Sequence, residues 1–176
     1  MPKDSEIELV KPFAKMDSEI HGQRHWSHVR RLGLELGNLL NLTDEQLRCI
    51  ELFALTHDLA RTNDGKNTVH SDDGSYLFVD VAKKVFPLLG GEQRGLIQTC
   101  IKHHSDGITA EEAYLNQSFR HIAWREDDII NTVGCCWDAD RLDLLRLGIE
   151  PNGKYMSTSV WEDVLPLARK LNGVEF

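Results

Sequence analysis

The chain has 176 residues, of which 41% are hydrophobic and 27% charged, the size and make-up of one compact soluble domain. Its 28 acidic residues outnumber the 20 basic ones, for a formal charge of −8. The composition argues against wholesale disorder, and the acidic balance disfavours broad binding to nucleic-acid backbones and adhesion to anionic membrane while leaving room for a local basic pocket. No apolar run is long enough to span a bilayer, and the first residues, Met1 to Glu6, carry neither a signal-peptide core nor an Arg-rich transit pattern. Cys49, Cys100, Cys135 and Cys136 form no CxxC pair and read as reduced core residues, so a cytoplasmic setting is expected.

In chain order, a first helix is expected over about Lys15 to Leu40, with Leu32, Leu36, Leu39 and Leu40 on one side. Thr43 and Gln46 have capping-box spacing and open a second helix that carries Leu47, Ile50, Phe53 and Ala54 into His57-Asp58. After a polar loop from Arg61 to Thr68, a third helix holds Leu77, Val81 and Val85 and stops before Pro87. A fourth runs from near Glu92 through Leu96, Ile97, Cys100 and Ile101 into His103-His104. Thr109 and Glu112 supply a second capping box for a short helix through Leu115. The longest remaining helix is expected over about Glu126 to Leu147, ended by Gly148, and a last amphipathic stretch covers about Val160 to Leu171. Strand-like alternation is absent, so the fold class is all-α, a helical bundle forming one domain over 1–176.

Polar, metal-capable side chains interrupt the stripes that these helices should bury. On the second helix, Leu47, Ile50 and Ala54 lead to His57 or Asp58; on the fourth, Ile97 and Cys100 lead to His104, and Leu96 and Cys100 to His103. On the long helix Ile129, Val133, Cys136 or Trp137, Asp140, Leu144 and Leu147 follow one stripe. Asp138 lies about 200° around from Asp140, and Asp143, about 60° away, is a second choice. His21, His25 and His28 share a face at spacings of four and three, and any of them can ligate. A buried carboxylate is costly unless it is paired, hydrogen-bonded or metal-bound, which suggests a common cation. Imidazole plus carboxylate without thiolate suits Mn, Fe, Co, Ni or Zn, one or two per chain. Such a site lowers the pKa of water and polarises a phosphoryl oxygen, and Asp58, beside His57, is placed in sequence to bridge two ions.

His25, His57-Asp58 and Asp140 in that order resemble the H…HD…D signature of the HD superfamily of metal-dependent phosphohydrolases. The likeness extends to His25-Trp26-Ser27-His28-Val29, to Phe53-Ala54-Leu55-Thr56-His57-Asp58 and to Ala139-Asp140-Arg141-Leu142, and covers roughly residues 18–150, with 151–176 as a C-terminal extension. His70 with Gly74, and the pair His103-His104, resemble elements of the two-metal branches. The resemblance implies an HD-type bundle with one ion on His25, His57, Asp58 and Asp140, and a second on Asp58, His70, His103 and His104. It further implies hydrolysis of a nucleotide or other small phosphate ester, with Asp58 orienting the attacking water.

Arg61, Lys66, Lys102 and Arg141 are candidate phosphate contacts, His21 and His28 candidate substrate or supporting groups, and Asp64 a candidate general acid or else a turn residue. Arg61 stands where bacterial 5′-nucleotidases of the superfamily often carry glutamate. The Gly-Tyr-Pro that marks its cyclic-dinucleotide phosphodiesterases is missing after His103-His104. His121 and the four tryptophans read first as structural, with Trp26 or Trp124 as candidate base-stacking groups. Two other functions fit the same residues: a di-iron oxygenase, known among HD relatives, and a non-catalytic nucleotide- or metal-binding sensor.

Overall fold

The computed structural model describes residues 4–65 and 69–174, and within them all regular structure is helical. The helices are α1 (Asp4–Val10), α2 (Gln23–Leu39), α3 (Asp44–Thr56), α4 (His70–Val85), α5 (Gly91–His103), α6 (Ala110–Leu115), α7 (Glu126–Leu142) and α8 (Trp161–Leu171). Short 3₁₀ turns follow α1, follow α7 (Asp143–Leu147) and precede α8 (Gly153–Tyr155). No described helix is long and apolar enough to cross a membrane.

The capping boxes form as their spacing implies. Thr43 Oγ1 accepts the Gln46 N–H while Gln46 Oε1 accepts the Thr43 N–H, and Thr109 and Glu112 do the same for α6. Helix α2 starts eight residues later than expected. The Ser18 hydroxyl accepts the N–H groups of Ile20 and His21, a local bonding pattern that competes with a helical turn. Gly22 then closes the turn where a Cβ would lie 2.1 Å from the Ser18 carbonyl oxygen. Helix α7 ends at Leu142 rather than at the expected Leu147. The change to 3₁₀ winding at Asp143 turns Leu147 outward, 43% exposed, and Gly148 stops the chain in the left-handed region at φ 71°.

Helix α2 packs against α3 and α7, α3 against α5 and α7, and α4 against α5; α8 returns to cover α2 and α7. Gly33 lets α2 approach both partners, since a Cβ there would lie 2.5 Å from Ile50 Cγ2 and 3.4 Å from Ala139 Cβ. The core between them includes Leu32, Leu36, Phe53, Leu96, Ile97, Val133 and Trp137, all essentially inaccessible. The Trp137 indole N–H donates to the Cys100 carbonyl at 3.0 Å, and all four cysteines are buried free thiols. Burial of these apolar faces supplies the main driving force for the bundle. It also fixes which residues of α2, α3, α4, α5 and α7 face one another at the polar cluster.

A buried histidine–aspartate cluster as candidate metal centre

Five helices or helix ends bring four imidazoles and two carboxylates into contact. His25 comes from the start of α2, His57 and Asp58 from the end of α3, His70 from the start of α4, His104 from the end of α5 and Asp140 from α7. His25 Nε2 lies 3.1 Å from His57 Nε2 and 3.3 Å from Asp140 Oδ1, and His57 Nε2 lies 3.6 Å from the same carboxylate oxygen. On the other side, His70 Nε2 and His104 Nε2 are 3.0 Å apart. Asp58 joins the two halves. Its Oδ2 faces His25 and His57 at 3.6 and 3.7 Å, while its Oδ1 faces His70 and His104 at 3.6 and 3.8 Å.

The tautomers that the surroundings impose make this geometry informative. His57 Nδ1 faces the carbonyls of Phe53 and Ala54 at 3.2 Å, and His104 Nδ1 faces the Ile101 carbonyl at 2.6 Å. Carbonyls only accept, so both Nδ1 atoms carry hydrogen, and each ring, when neutral, presents an Nε2 lone pair inward. His25 is held in the same sense by the Asp143 carboxylate, 2.7 Å from its Nδ1. Lone pairs and carboxylate oxygens that converge in a buried space repel unless a cation or a proton lies among them. The groups His25–His57–Asp140 and Asp58–His70–His104 each have the composition and spacing to hold a metal ion, and His21 with His25 and Asp58 forms a third overlapping set.

In the metal-free protein, protons take over part of that role. Burial pushes the His25 pKa down, but hydrogen bonds to Asp140 and Asp143 and the charges of Asp140 and Asp58 outweigh it and raise the value to about 9. Burial likewise opposes the charged form of His104, yet Asp58 and Asp140 draw its pKa above the usual histidine value. For Asp58 and Asp140 burial favours the neutral acid, and the surrounding histidines overcome it and hold both well below the ordinary carboxylate range. Asp143 is drawn down to about 2 against its burial by His25, His28 and Asn172.

Other expected site residues fall into several environments. His21 Nδ1 meets Asp58 Oδ2 at 2.9 Å, and Arg61 Nε donates to Asp58 Oδ1 at 3.0 Å, so both touch the bridging carboxylate. His28 turns away from the cluster to Asp143 Oδ1 at 2.9 Å and supports His25 indirectly. His103 is not gathered in. One residue of rotation about α5 separates it from His104, and it pairs with Asp106 at 2.7 Å instead. Lys102 sits half-exposed beside Asp72, its Nζ 3.9 Å from Oδ1, and does not line the cleft described below. Asp64 is exposed and accepts from the Ser18 hydroxyl. Lys66 lies outside the described residues. Arg141 does line the cleft, but its guanidinium donates to the carbonyls of Tyr155 and Ile108 and stacks over Trp137, so it acts as a clamp on the chain rather than as a free phosphate contact. Trp26 is buried in the core, and His121 bonds to the Thr99 hydroxyl away from the cluster.

Two acids have structural parts that the sequence leaves undetermined. Asp143 accepts from Asn172 Nδ2 at 3.0 Å and Arg146 at 3.1 Å, besides its two histidines. Asp138, fully buried on the far side of α7, accepts the backbone N–H groups of Ser157 and Thr158 and the Thr158 hydroxyl, which pins the segment before α8. The position of Asp143 one helical turn after Asp140 is the signal in the sequence; no comparable signal marks Asp138. Comparison with protein-family models, curated proteins and solved structures returned no match.

Proposed function

We propose that this protein is a metal-dependent phosphohydrolase acting on a nucleotide or other small phosphate ester. One divalent transition ion would be held by His25, His57, Asp58 and Asp140, and a second by Asp58, His70 and His104. The observation that carries the reading is Asp58, a buried carboxylate with one oxygen turned to each pair of inward Nε2 atoms. The donor set fits this use: nitrogen and oxygen ligands without thiolate suit Mn, Fe, Co, Ni or Zn. The ordered H…HD…D resemblance supports the same chemistry.

A divalent ion in such a centre supplies Lewis acidity at a phosphoryl oxygen and lowers the pKa of a water toward neutrality. The chain's own contribution is orientation. Asp143 and the α3 and α5 carbonyls fix the ring planes of His25, His57 and His104, so the donor atoms are set before any ligand arrives. Asp58, held by His21 and Arg61, keeps a fixed carboxylate plane between the two halves. Arg61 Nε bonds Asp58 while its NH1 donates to the Gly65 carbonyl at 3.3 Å, which ties the loop after α3 to the centre.

The test is phosphate release from a panel of phosphate esters with Mn, Fe, Co, Ni and Zn supplied in turn. Release with at least one metal, abolished by Asp58→Ala in a folded protein, is the expected result. Two tightly held irons with oxygen uptake and no phosphate release would replace this reading with the oxygenase one. Tight binding of unchanged esters under every metal would replace it with a sensor.

A further inference from the structure

A cleft of about 350 Å³ opens directly beside the cluster, with Asp140 and His104 in its wall. Its character changes over its length. Away from those two ligands the lining is mainly apolar and includes Ile149, Tyr155 and Met156. Ile149 and Tyr155 are 50% and 38% exposed, unusual for large apolar side chains in a bundle that buries most of its others. Exposed apolar groups gathered in a concave wall next to polar, charge-binding groups are the common form of a small-molecule site.

The charges in that wall are already committed. Arg141 donates to two backbone carbonyls, and Glu150 is paired with Arg169 at 2.9 Å. Lys154 lies over the Tyr155 ring and is not part of the lining. Beyond the cluster, therefore, the cleft offers no uncommitted lining cation for a second phosphate among the described residues. The volume also falls at the small end of the range for such sites, roughly 300–1,000 Å³. The wall is pre-formed: Asp138 holds Ser157 and Thr158, and Asn152 Oδ1 accepts the Lys154 N–H at 3.0 Å. A pre-formed apolar wall lowers the ordering cost of binding.

We infer that the substrate is a phosphomonoester with a single phosphoryl group and an apolar or aromatic organic part, the phosphoryl at the cluster and the organic part against Ile149 and Tyr155. This rests on the hydrolase reading above and narrows it. In the reaction, a water oxygen forms the new P–O bond as the ester P–O bond breaks. The electron pair leaves with the ester oxygen, which takes up a proton to give the alcohol or phenol, and phosphate is the other product.

The inference is tested with the 176-residue chain loaded with manganese(II), by binding and by turnover. In calorimetric titrations, phenylphosphonate should bind about tenfold more tightly than methylphosphonate, the gain expected from burying one ring face. Tyr155→Ala should narrow that ratio to about threefold, and Ile149→Ser should do so as a second, independent variant. In turnover, phenyl phosphate should exceed both glycerol phosphate and a nucleoside triphosphate by about tenfold in kcat/KM. Equal affinities for the two phosphonates, or preference for the triphosphate, overturns the inference even if phosphate is released. Selective phenylphosphonate binding with no ester hydrolysed under any metal upholds the apolar cleft and overturns the hydrolase reading alone.

Discussion

Asp143 and His25 are locked together inside the bundle: the Asp143 carboxylate lies 2.7 Å from Nδ1, and the opposite nitrogen of the ring points at His57 and Asp140. Asp143 touches none of the other cluster ligands in the described contacts, yet it joins α2, the turn after α7 and Asn172 at the end of α8 around one imidazole.

Asp143→Asn should therefore weaken metal binding while leaving the ligand atoms in place. The amide keeps one acceptor oxygen but loses the negative charge that strengthens Nε2 as a metal ligand, and it cannot accept from both His25 and His28 through two oxygens. A fall of about 10–100-fold in affinity is expected, the usual effect of removing such a partner. Calorimetric metal titration with helicity checked by circular dichroism decides it; unchanged affinity in a folded variant would remove Asp143 from the account.

The raised His25 pKa carries a signed prediction for the metal-free protein. A folded pKa of about 9 against an ordinary 6.5 means that the folded state holds this proton more tightly than the unfolded chain does. The resulting stabilisation, on the order of 3 kcal/mol, is complete below pH 6.5 and is lost as pH rises through about 9. Urea midpoints of chelator-treated protein should fall between pH 6.5 and 9, and His25→Gln should flatten that trend. A midpoint that stays level in the parent protein would contradict the assigned ion pairs. Since ligation needs the neutral ring, metal binding near pH 7 should also release protons.

Gly33→Ala sets two effects against each other. Alanine gains about 1 kcal/mol over glycine in a helix interior. Against that, the new methyl would meet Ile50 Cγ2 at 2.5 Å, and Ile50 is a β-branched, buried side chain with little freedom to move. Overpacking of this kind costs about 1–3 kcal/mol, so net destabilisation is expected in chemical denaturation. A more stable variant would mean that α2 can shift away from α3 at little cost.

Asp138→Asn tests the anchor of the segment before α8. Three donors converge on this carboxylate, and an amide presents one oxygen and a donor in place of two acceptor oxygens. A loss of about 1–3 kcal/mol is expected from the buried groups left without acceptors. Because Tyr155 and Met156 lie next to the pinned residues and line the cleft, KM for an active ester should rise more than kcat falls. An unchanged melting temperature and KM would show that the segment is held elsewhere.

The parts of this architecture written in local chemistry are legible in the chain. Thr43 with Gln46 and Thr109 with Glu112 announce helix starts, and the apolar stripes lead to His57 or Asp58, to His103 or His104, and to Asp140. What needs three dimensions is partner choice. Adjacent histidines 103 and 104 are equivalent by type, and only the packing of α5 on α3 and α4 turns His104 to the cluster and leaves His103 to Asp106. Arg141 reads as a phosphate contact because the carbonyls that occupy it, Ile108 and Tyr155, come from distant turns. The Lys15–Gly22 segment reads as helix because a single serine hydroxyl, Ser18, redirects two backbone N–H groups without altering the hydrophobic pattern.

The central claim, that Asp58 stands between two cation sites, is tested most directly by metal content. The protein equilibrated with manganese(II) and freed of loose ions should retain two per chain by elemental analysis. Asp58→Ala should retain fewer than one, and His104→Ala close to one. A folded parent protein that retains no divalent ion under any of the five candidate metals would contradict the account.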